Sequence, residues 1–240
     1  MKHAILADVH GNLDALEAVL SDAEAQGVDR LAVAGDVVGY GAEPRACLNR
    51  LRELDAVVVR GNHDHYAGTG ASMNLFTPSA QDGILWTRKR LSHADRRFLS
   101  NLPPALDADG FSLVHASLRA PLDWAYVVRP AEATAAFLCQ SLPICFFGHV
   151  HVPFAFLMDD AVRRVPLGEL RIEENVRYLV NVGSVGQPRD RDPRAAYAIY
   201  DDDAGTVRLR RVEYDVAAAQ RKIREAGLPF RNALRLAAGR

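Results

Sequence analysis

Short apolar runs alternate with amphipathic stretches over the first 60 residues. Residues 4–7, 31–34 and 56–59 are apolar runs with the length of buried strands. Between them, apolar side chains recur at helical spacing over residues 13–26, and a second helical pattern covers residues 44–54 with a proline in its first turn. Short strands that alternate with helices are typical of βαβ units, so we predict a largely parallel sheet covered on both faces.

The pattern changes in the second half of the chain, where apolar runs follow one another with turns between them. Strands are predicted at residues 111–114, 144–147, 154–157, 177–182, 195–200 and 207–212, helices at 78–101, 131–139 and 217–225, and loops at 66–78, 117–129 and 183–194. The strands after residue 152 are predicted as antiparallel hairpins. Since no repeat or linker divides the chain, we predict one mixed α/β domain over residues 1–240, with a parallel half and an antiparallel half.

Composition narrows the class of protein. Of the 240 residues, 49% are apolar and 25% charged, which is typical of a globular protein. The 29 basic and 30 acidic side chains nearly cancel, whereas proteins that bind phosphate backbones carry a clear basic excess, so no extended nucleic-acid surface is expected. No apolar run approaches the roughly 18 residues of a membrane span, and the N-terminal residues do not resemble a signal peptide. We therefore expect a cytoplasmic protein without a membrane partner.

Polar residues that can bind metal follow the predicted strands at the point where each strand ends. Asp8, His10, Asp36, Asn62, His63, His149 and His151 all lie at such ends, and His115 follows the strand at 111–114. Because the carboxyl ends of parallel strands meet at one crevice, we expect these side chains to converge. Five of the eight histidines fall in this group.

The spacing and the residue types point to metal chemistry. Residues two apart on an extended chain point to the same side, so the pairs Asp8/His10 and His149/His151 are each expected to serve one ion or two adjacent ions. Imidazole and oxygen ligands suit Mn, Fe, Co, Ni or Zn better than Mg or Ca. Two such ions bridged by a carboxylate, about 3.5–4 Å apart, suit in-line phosphoryl transfer.

These segments resemble the calcineurin-like metallophosphoesterase family. Its pattern is Asp-x-His, Gly-Asp, Gly-Asn-His-Asp/Glu, a later His and Gly-His-x-His, and all five motifs occur here in that order. Residues 181–189 are similar to the stretch that follows in the smaller bacterial members. The resemblance implies a four-layer α/β/β/α sandwich of two mixed β-sheets.

The resemblance also implies roles for single residues and two divalent transition-metal ions, drawn from Mn, Fe, Zn, Ni or Co. One metal would be held by Asp8, His10 and His151, the second by Asn62, His115 and His149, and Asp36 would bridge them. His63 would stay off the metals and protonate the departing oxygen. The cations would lower the pKa of a bridging water that attacks phosphorus in line.

The substrate is a phosphate ester on this interpretation, and phosphodiesters are favoured. Asn12 and Arg189 are predicted to contact phosphate oxygens, Arg189 because a guanidinium can bind them in a bidentate manner. A phosphomonoesterase or protein phosphatase, a nucleotide polyphosphate hydrolase, and a non-catalytic metal-binding scaffold remain alternatives. Trp124 and Tyr126 lie in the predicted loop 117–129, where they either stack on a substrate ring or pack within the protein. The sequence leaves the oligomeric state open.

Overall fold

Strands and helices alternate along most of the chain. The computed structural model describes residues 1–74, 76–108 and 110–240. The strands are β1 (Lys2–Leu6), β2 (Arg30–Val33), β3 (Val57–Val58), β4 (Ala105–Ala108), β5 (Phe111–Val114), β6 (Ile144–Phe147), β7 (Phe154–Met158), β8 (Val162–Pro166), β9 (Glu169–Arg171), β10 (Arg177–Asn181), β11 (Ala195–Asp201) and β12 (Thr206–Val212). The helices are α1 (Leu13–Ala25), α2 (Pro44–Glu53), α3 (Asn62–Thr69), α4 (Pro78–Arg90), α5 (His93–Asn101), α6 (Pro130–Phe137), α7 (Val216–Glu225) and α8 (Phe230–Ala238).

The strands form two six-stranded sheets, and each of them is mixed. The first has the order β3-β2-β1-β11-β12-β9, in which β1, β2 and β3 are parallel and the remaining pairs are antiparallel. The second has the order β4-β5-β6-β10-β7-β8, in which β5, β6 and β10 are parallel neighbours and the flanking pairs are antiparallel. This architecture confirms the predicted α/β fold with two mixed sheets.

Alternating side chains divide the core into layers, because successive residues of a strand face opposite sides of the sheet. In β1, Leu6 packs in the core formed with α1 and α2, whereas Ile5 packs in the core between the two sheets. In β6, Phe146 joins that same inter-sheet core and Phe147 packs toward α6. The layers are therefore helices, sheet, sheet and helix, as the family resemblance implies.

The expected separation into a parallel and an antiparallel half of the chain is wrong. β11 pairs with β1, where Ala198 lies opposite Ile5, so the last third of the chain completes the first sheet. Likewise, β10 is antiparallel to β7 but parallel to β6. Local patterns predict that a segment is a strand, but they do not specify a partner that is distant along the chain.

The prediction of a loop over residues 66–78 is wrong in its first part, because α3 continues to Thr69. This helix begins directly after the third strand, where the Asp64 carboxylate accepts a hydrogen bond from the Gly61 backbone N–H at 3.0 Å. It ends at Gly70, which has the left-handed conformation typical of a helix C-terminus. The capping interactions thus place Asn62 and His63 on the first turn of a helix.

The last two helices pack together through a small apolar cluster that includes Ile223 of α7 and Leu236 of α8. The side chain of Asn232 in α8 donates to the backbone carbonyl of Tyr40 at 3.2 Å, which links this pair to the loop after β2. None of the helices in the described residues is long and apolar enough to cross a membrane.

Candidate metal centre and active site

The seven predicted metal ligands gather where the parallel strands of the two sheets end. Two groups of predicted ligands have three ligand atoms within 4.8 Å of one another, namely Asp8, His10 and His151, and Asp36, His115 and His149, and His63 forms a third such group with His10 and Asp36. Asn62 joins the second group, because its Oδ1 lies 2.9 Å from His115 Nε2. The structure therefore brings together the residues of both predicted ligand sets.

Asp36 lies between these two groups. Its Oδ2 is 3.7 Å from His10 Nε2 and 3.4 Å from His115 Nε2. Its other oxygen, Oδ1, accepts a hydrogen bond from the His63 backbone N–H at 2.8 Å. One carboxylate oxygen thus faces both ligand groups, while the second fixes the orientation of the side chain.

The backbone at five of the seven predicted ligands is left-handed, which corrects the expectation of extended segments. Positive φ angles occur at Asp8 (54°), His10 (50°), Asp36 (54°), His149 (66°) and His151 (60°). Residues other than glycine rarely adopt this conformation, and such strain concentrates at functional sites. Two backbone hydrogen bonds, from His10 to the Asp36 carbonyl (2.9 Å) and from Asp8 to the Gly35 carbonyl (3.0 Å), support the turns. His149 and His151 consequently enter different ligand groups.

The first histidine pair presents two acceptor nitrogens to each other. His10 Nδ1 donates to the Val38 carbonyl at 3.1 Å, and His151 Nδ1 donates to the Gln187 carbonyl at 2.6 Å. Burial lowers the pKa of both rings well below the ordinary histidine value, so both are neutral. Each Nε2 then carries a lone pair, and these two atoms lie only 3.2 Å apart.

A bound cation would remove this repulsion. Two lone pairs at that distance repel each other unless a proton or a metal ion lies between them. Asp8 Oδ1 is also buried without a hydrogen-bond partner among the described residues, and it lies 3.4 Å from His151 Nε2. Neutral imidazoles held by backbone carbonyls, next to a carboxylate, are the arrangement that divalent transition metals prefer. The residues present therefore fit the metal that the first group is predicted to hold.

The second group has a similar arrangement beside the Asp36 carboxylate. His149 Nε2 donates to the Trp124 carbonyl at 2.9 Å, which leaves Nδ1 at 3.1 Å from His115 Nε2. Burial lowers the pKa of His149 to about 3. Burial also opposes charge on His115, but the Asp36 carboxylate outweighs this effect and raises the pKa of His115 to about 9. This carboxylate thus stabilises positive charge at the point where a second cation would lie.

Asp8 and Asp36 differ in their charge when no cation is bound. Burial raises the pKa of Asp8 to about 8. Burial acts in the same direction on Asp36, but His115 and His63 outweigh it and hold the pKa of that carboxyl well below its usual range. Of the two carboxyl groups, Asp36 is therefore the ionised one, and it is the one that lies between the two ligand groups.

A cavity of about 280 Å³ opens at the predicted metal ligands. It is lined by Asp36, Tyr40, Asn62, His63, Tyr66, Phe76, Thr77, Ala80, Asp123, Trp124, Tyr126, His149, His151 and Arg189. A larger surface groove of about 670 Å³ lies between α1, α2 and β2, but the residues that line it include none of the predicted ligands. We take the smaller cavity as the candidate active site, because it contains the candidate catalytic groups.

His63 is buried at the wall of this cavity. Its ring lies 4.5 Å from the Tyr40 ring and 5.6 Å from the Phe76 ring, measured between centroids. Burial lowers the pKa of His63 to about 4. Gly39 packs directly against it, since a Cβ atom at residue 39 would lie 2.3 Å from His63 Nδ1.

The two predicted substrate contacts have different positions. Arg189 lines the cavity, and its guanidinium donates to Gln187 Oε1 at 2.8 Å. Asn12 caps α1 by accepting from the Ala15 backbone N–H at 3.2 Å, and its amide nitrogen donates to the Gly186 carbonyl at 3.0 Å. Because the amide of Asn12 is occupied and does not line the cavity, we withdraw it from the predicted phosphate contacts.

Comparison with known proteins identifies the family. The sequence profile of the calcineurin-like phosphoesterase superfamily domain matches residues 1–205. The chain belongs to the calcineurin-like phosphoesterase superfamily. It is 40% identical to a metallophosphoesterase from Sphaerobacter thermophilus whose crystal structure superposes with a TM-score of 0.87, covering 100% of this chain and 99% of that one.

Two archaeal proteins are also similar to this phosphoesterase-family chain. An uncharacterised protein of Methanocaldococcus jannaschii is 35% identical over 230 residues, which cover 94% of this chain and 93% of the relative. A hypothetical protein from Pyrococcus horikoshii has the same fold, with a TM-score of 0.82 at 21% identity, over 100% of this chain and 98% of that one. The profile confirms the family resemblance, and the structure from Pyrococcus horikoshii shows the same fold.

Sequence reasoning missed most of the aromatic wall of this phosphoesterase-family cavity. The ring of Tyr40 lies 4.7 Å from that of His10, and its only signal in the sequence is a position between two glycines. Tyr66 and Phe76 reach the cavity from α3 and the segment that follows it. A pattern of strands and strand ends carries little information about such side chains, because Tyr66 lies on α3 and Tyr40 and Phe76 lie in loops.

Proposed function

We propose that this protein is a dinuclear, metal-dependent phosphodiesterase. The observation that carries the proposal is the position of Asp36, one oxygen of which faces both ligand groups at the base of a cavity. A carboxylate in that position is suited to bridge two metal ions. The combination of imidazole, carboxylate and amide oxygen supports Mn, Fe, Zn, Ni or Co as the ions.

Each of the two ligand groups would hold one cation. Asp8, His10 and His151 would hold one ion, Asn62, His115 and His149 would hold the other, and Asp36 would contact both. When bound, two such cations polarise the phosphate and activate a water molecule for in-line attack. The left-handed turns at the ligands keep the donor atoms in place before any substrate arrives.

Side chains of the cavity wall would bind the substrate and protonate its leaving group. Arg189 would donate to the non-bridging phosphate oxygens, which a guanidinium can contact in a bidentate manner. His63 would transfer a proton to the leaving oxygen as the phosphorus–oxygen bond to that group breaks. The negative charge of a bound phosphate favours the protonated form of His63, which opposes the effect of its burial.

The charge of the cavity supports a diester rather than a monoester. Among the described residues that line it, Arg189 is the only lysine or arginine. A phosphodiester carries one negative charge. A monoester dianion carries two and needs more positive charge in the cavity to balance them. Side chains also flank the ligands on two sides, with Phe76 near His63 and Tyr126 against His149, which suits a phosphate with two substituents.

The test compares two substrates that release the same phenolate. We expect the manganese-loaded protein to hydrolyse bis(p-nitrophenyl) phosphate with a kcat/KM at least about tenfold above that for p-nitrophenyl phosphate. A strong preference for the monoester would contradict the diester assignment. If none of manganese, iron, zinc, nickel and cobalt stimulates turnover of either ester, the protein is not a phosphoesterase of this kind, and the scaffold alternative is favoured.

A further inference from the structure

Two aromatic side chains of the segment after β5 lie at the mouth of the cavity. Trp124 lines it, and the Trp124 backbone is left-handed, with a φ of 56°. The carbonyl of the same residue accepts the hydrogen bond from His149 Nε2, so the segment is tied to a predicted metal ligand. The Tyr126 ring stacks on the His149 ring, with centroids 4.2 Å apart and planes 23° apart.

Packing within the protein does not account for the position of Tyr126, whereas the Trp124 ring is partly buried, with its centroid 5.8 Å from that of His65 and 6.1 Å from that of His115. Tyr126 is 53% exposed, although an aromatic ring that stabilises a core is normally buried. One face of its ring covers His149, and the side chain is otherwise open to solvent and the cavity. Left-handed backbone at a residue such as Trp124 costs free energy and is retained where the orientation of the residue matters.

A second aromatic wall of the cavity is formed by residues of α3 and the segment that follows it. Tyr66 and Phe76 meet edge to face at 4.8 Å, and Phe76 lies against His63. His63 is the proposed proton donor to the leaving group, so this wall lies on the leaving-group side. Trp124 and Tyr126 lie on the side of His149, where the substituent that stays on phosphorus would extend.

We propose that Trp124 and Tyr126 form a stacking subsite that binds a planar ring on the retained substituent of the phosphodiester. This inference rests on the proposed function and specifies the substrate class as phosphodiesters with an aryl or nucleoside substituent. Both kinds of ring offer the π-face that tryptophan and tyrosine bind. Asp123 also lines the cavity and supplies an acceptor for the hydroxyl or N–H groups that a nucleoside has and a simple aryl group lacks.

Fluorescence provides a direct binding test, because the chain has two tryptophans. Trp86 lies on α4 and bonds to the Ala226 carbonyl, away from the cavity, so the Trp86→Phe protein retains Trp124 as its only tryptophan. We expect thymidine 5′-phosphate and phenyl phosphate to change its emission and to bind about tenfold more tightly than ribose 5-phosphate. Equal affinities for all three compounds would overturn the subsite.

A kinetic test uses esters that share a reaction centre. Thymidine 5′-(p-nitrophenyl phosphate), phenyl p-nitrophenyl phosphate and ethyl p-nitrophenyl phosphate release the same phenolate, so damage to the metal centre affects all three alike. We expect kcat/KM for the better ring-bearing ester to exceed that for the ethyl ester by about tenfold. The nucleoside is the favoured source if its ester exceeds the phenyl ester, and an aryl group is favoured in the opposite case.

Substitutions in the segment after β5 test whether Trp124 causes the preference for ring-bearing esters. Trp124→Ala should bring the ratio of ring-bearing to ethyl ester close to one, and Trp124→Phe, which keeps an aromatic face, should restore most of it. Leu122→Ala is the matched control, because Leu122 is 46% exposed on the same segment and does not line the cavity. A ratio unaffected by Trp124→Ala would contradict the proposal.

The kinetic test distinguishes a wrong stacking subsite from a wrong proposed function. If the wild-type protein hydrolyses all three esters equally well, the phosphodiesterase stands and the stacking subsite is wrong. If it hydrolyses none of them, the phosphodiesterase is wrong. The fluorescence measurement with thymidine 5′-phosphate still decides the subsite in that case.

Discussion

Gly39 determines where the His63 ring can lie. Its φ of 96° belongs to the region that favours glycine, and a Cβ atom there would overlap His63 Nδ1. We predict that Gly39→Ala displaces the ring and lowers kcat/KM for diester hydrolysis by more than about tenfold, since small misplacements of a catalytic group are costly. Steady-state kinetics and a thermal melt measure the two effects.

Gly27→Ala is the matched control for that prediction. Gly27 has a φ of 68°, and nothing lies within 4 Å of the added Cβ. Both substitutions introduce the strain of a left-handed alanine, about 1–2 kcal/mol, but only one of them introduces a collision. Equal activity of the two variants would show that the contact with His63 has no consequence for the reaction.

His63 itself should affect the chemical step more than metal binding. We predict that His63→Ala retains the metal content of the wild type and loses about 10²–10⁴-fold in kcat on an ester with a poor, alkoxide leaving group. The loss should be smaller with p-nitrophenolate, which departs without a proton. His93→Ala serves as control, because His93 is exposed on α5. Unchanged turnover of His63→Ala on the alkyl ester would remove His63 from the mechanism.

At the scale of elements, an ion pair connects α1 to the first sheet. Asp22 accepts from the Arg210 guanidinium at 2.6 Å and from the Tyr197 hydroxyl at 2.6 Å. The hydrogen bond from Arg210, with a further contribution from Tyr197, holds the pKa of Asp22 below its ordinary value of 3.8. A carboxyl with a depressed pKa in the folded state stabilises the fold above the unfolded pKa. This contribution is lost as the pH falls through the lower, folded pKa.

The prediction is a pH-dependent effect of Asp22→Asn. The substitution should lower the free energy of unfolding by about 1 kcal/mol at pH 7, and the difference from wild type should shrink as the pH falls below about 4. Urea denaturation at a series of pH values measures it. Glu24→Gln on the same helix is the control, since Glu24 is exposed and has no ion pair among the described residues. A difference that is constant from pH 7 to pH 3 would rule out the ionised pair as its cause.

Elements that are apolar throughout could be predicted from the sequence, and polar edge elements could not. The bounds of β5 and β6 agree with the predicted runs at 111–114 and 144–147, because fully buried strands are continuous apolar segments. β8 contains Arg163 and Arg164 and lies at the edge of its sheet, so its pattern resembles a loop. α3 has no apolar period, since its first turn carries ligands and capping groups instead of core residues.

At the scale of the molecule, the sequence predicts the convergence of the ligands better than it predicts their geometry. Because the carboxyl ends of parallel strands meet at one crevice, the sequence predicts that Asp8, Asp36 and His149 lie close together, as they do. The expected extended backbone is wrong, because Asp8, His10, His149 and His151 are left-handed, but the ligand groups agree with the expectation that each pair serves one ion or two adjacent ions. The two-sheet architecture followed from the family resemblance and not from local patterns, since pairs such as β1 and β11 join segments far apart in the chain.

The division of the site into two ligand groups that share Asp36 is the centre of this account, and the metal content tests it most directly. Equilibrium dialysis against manganese, followed by elemental analysis, measures ions per chain at saturation. We expect two ions per chain for the wild type and fewer for Asp36→Ala, with diester hydrolysis appearing as the second ion binds. Saturation at one ion per chain, or at none, would contradict it.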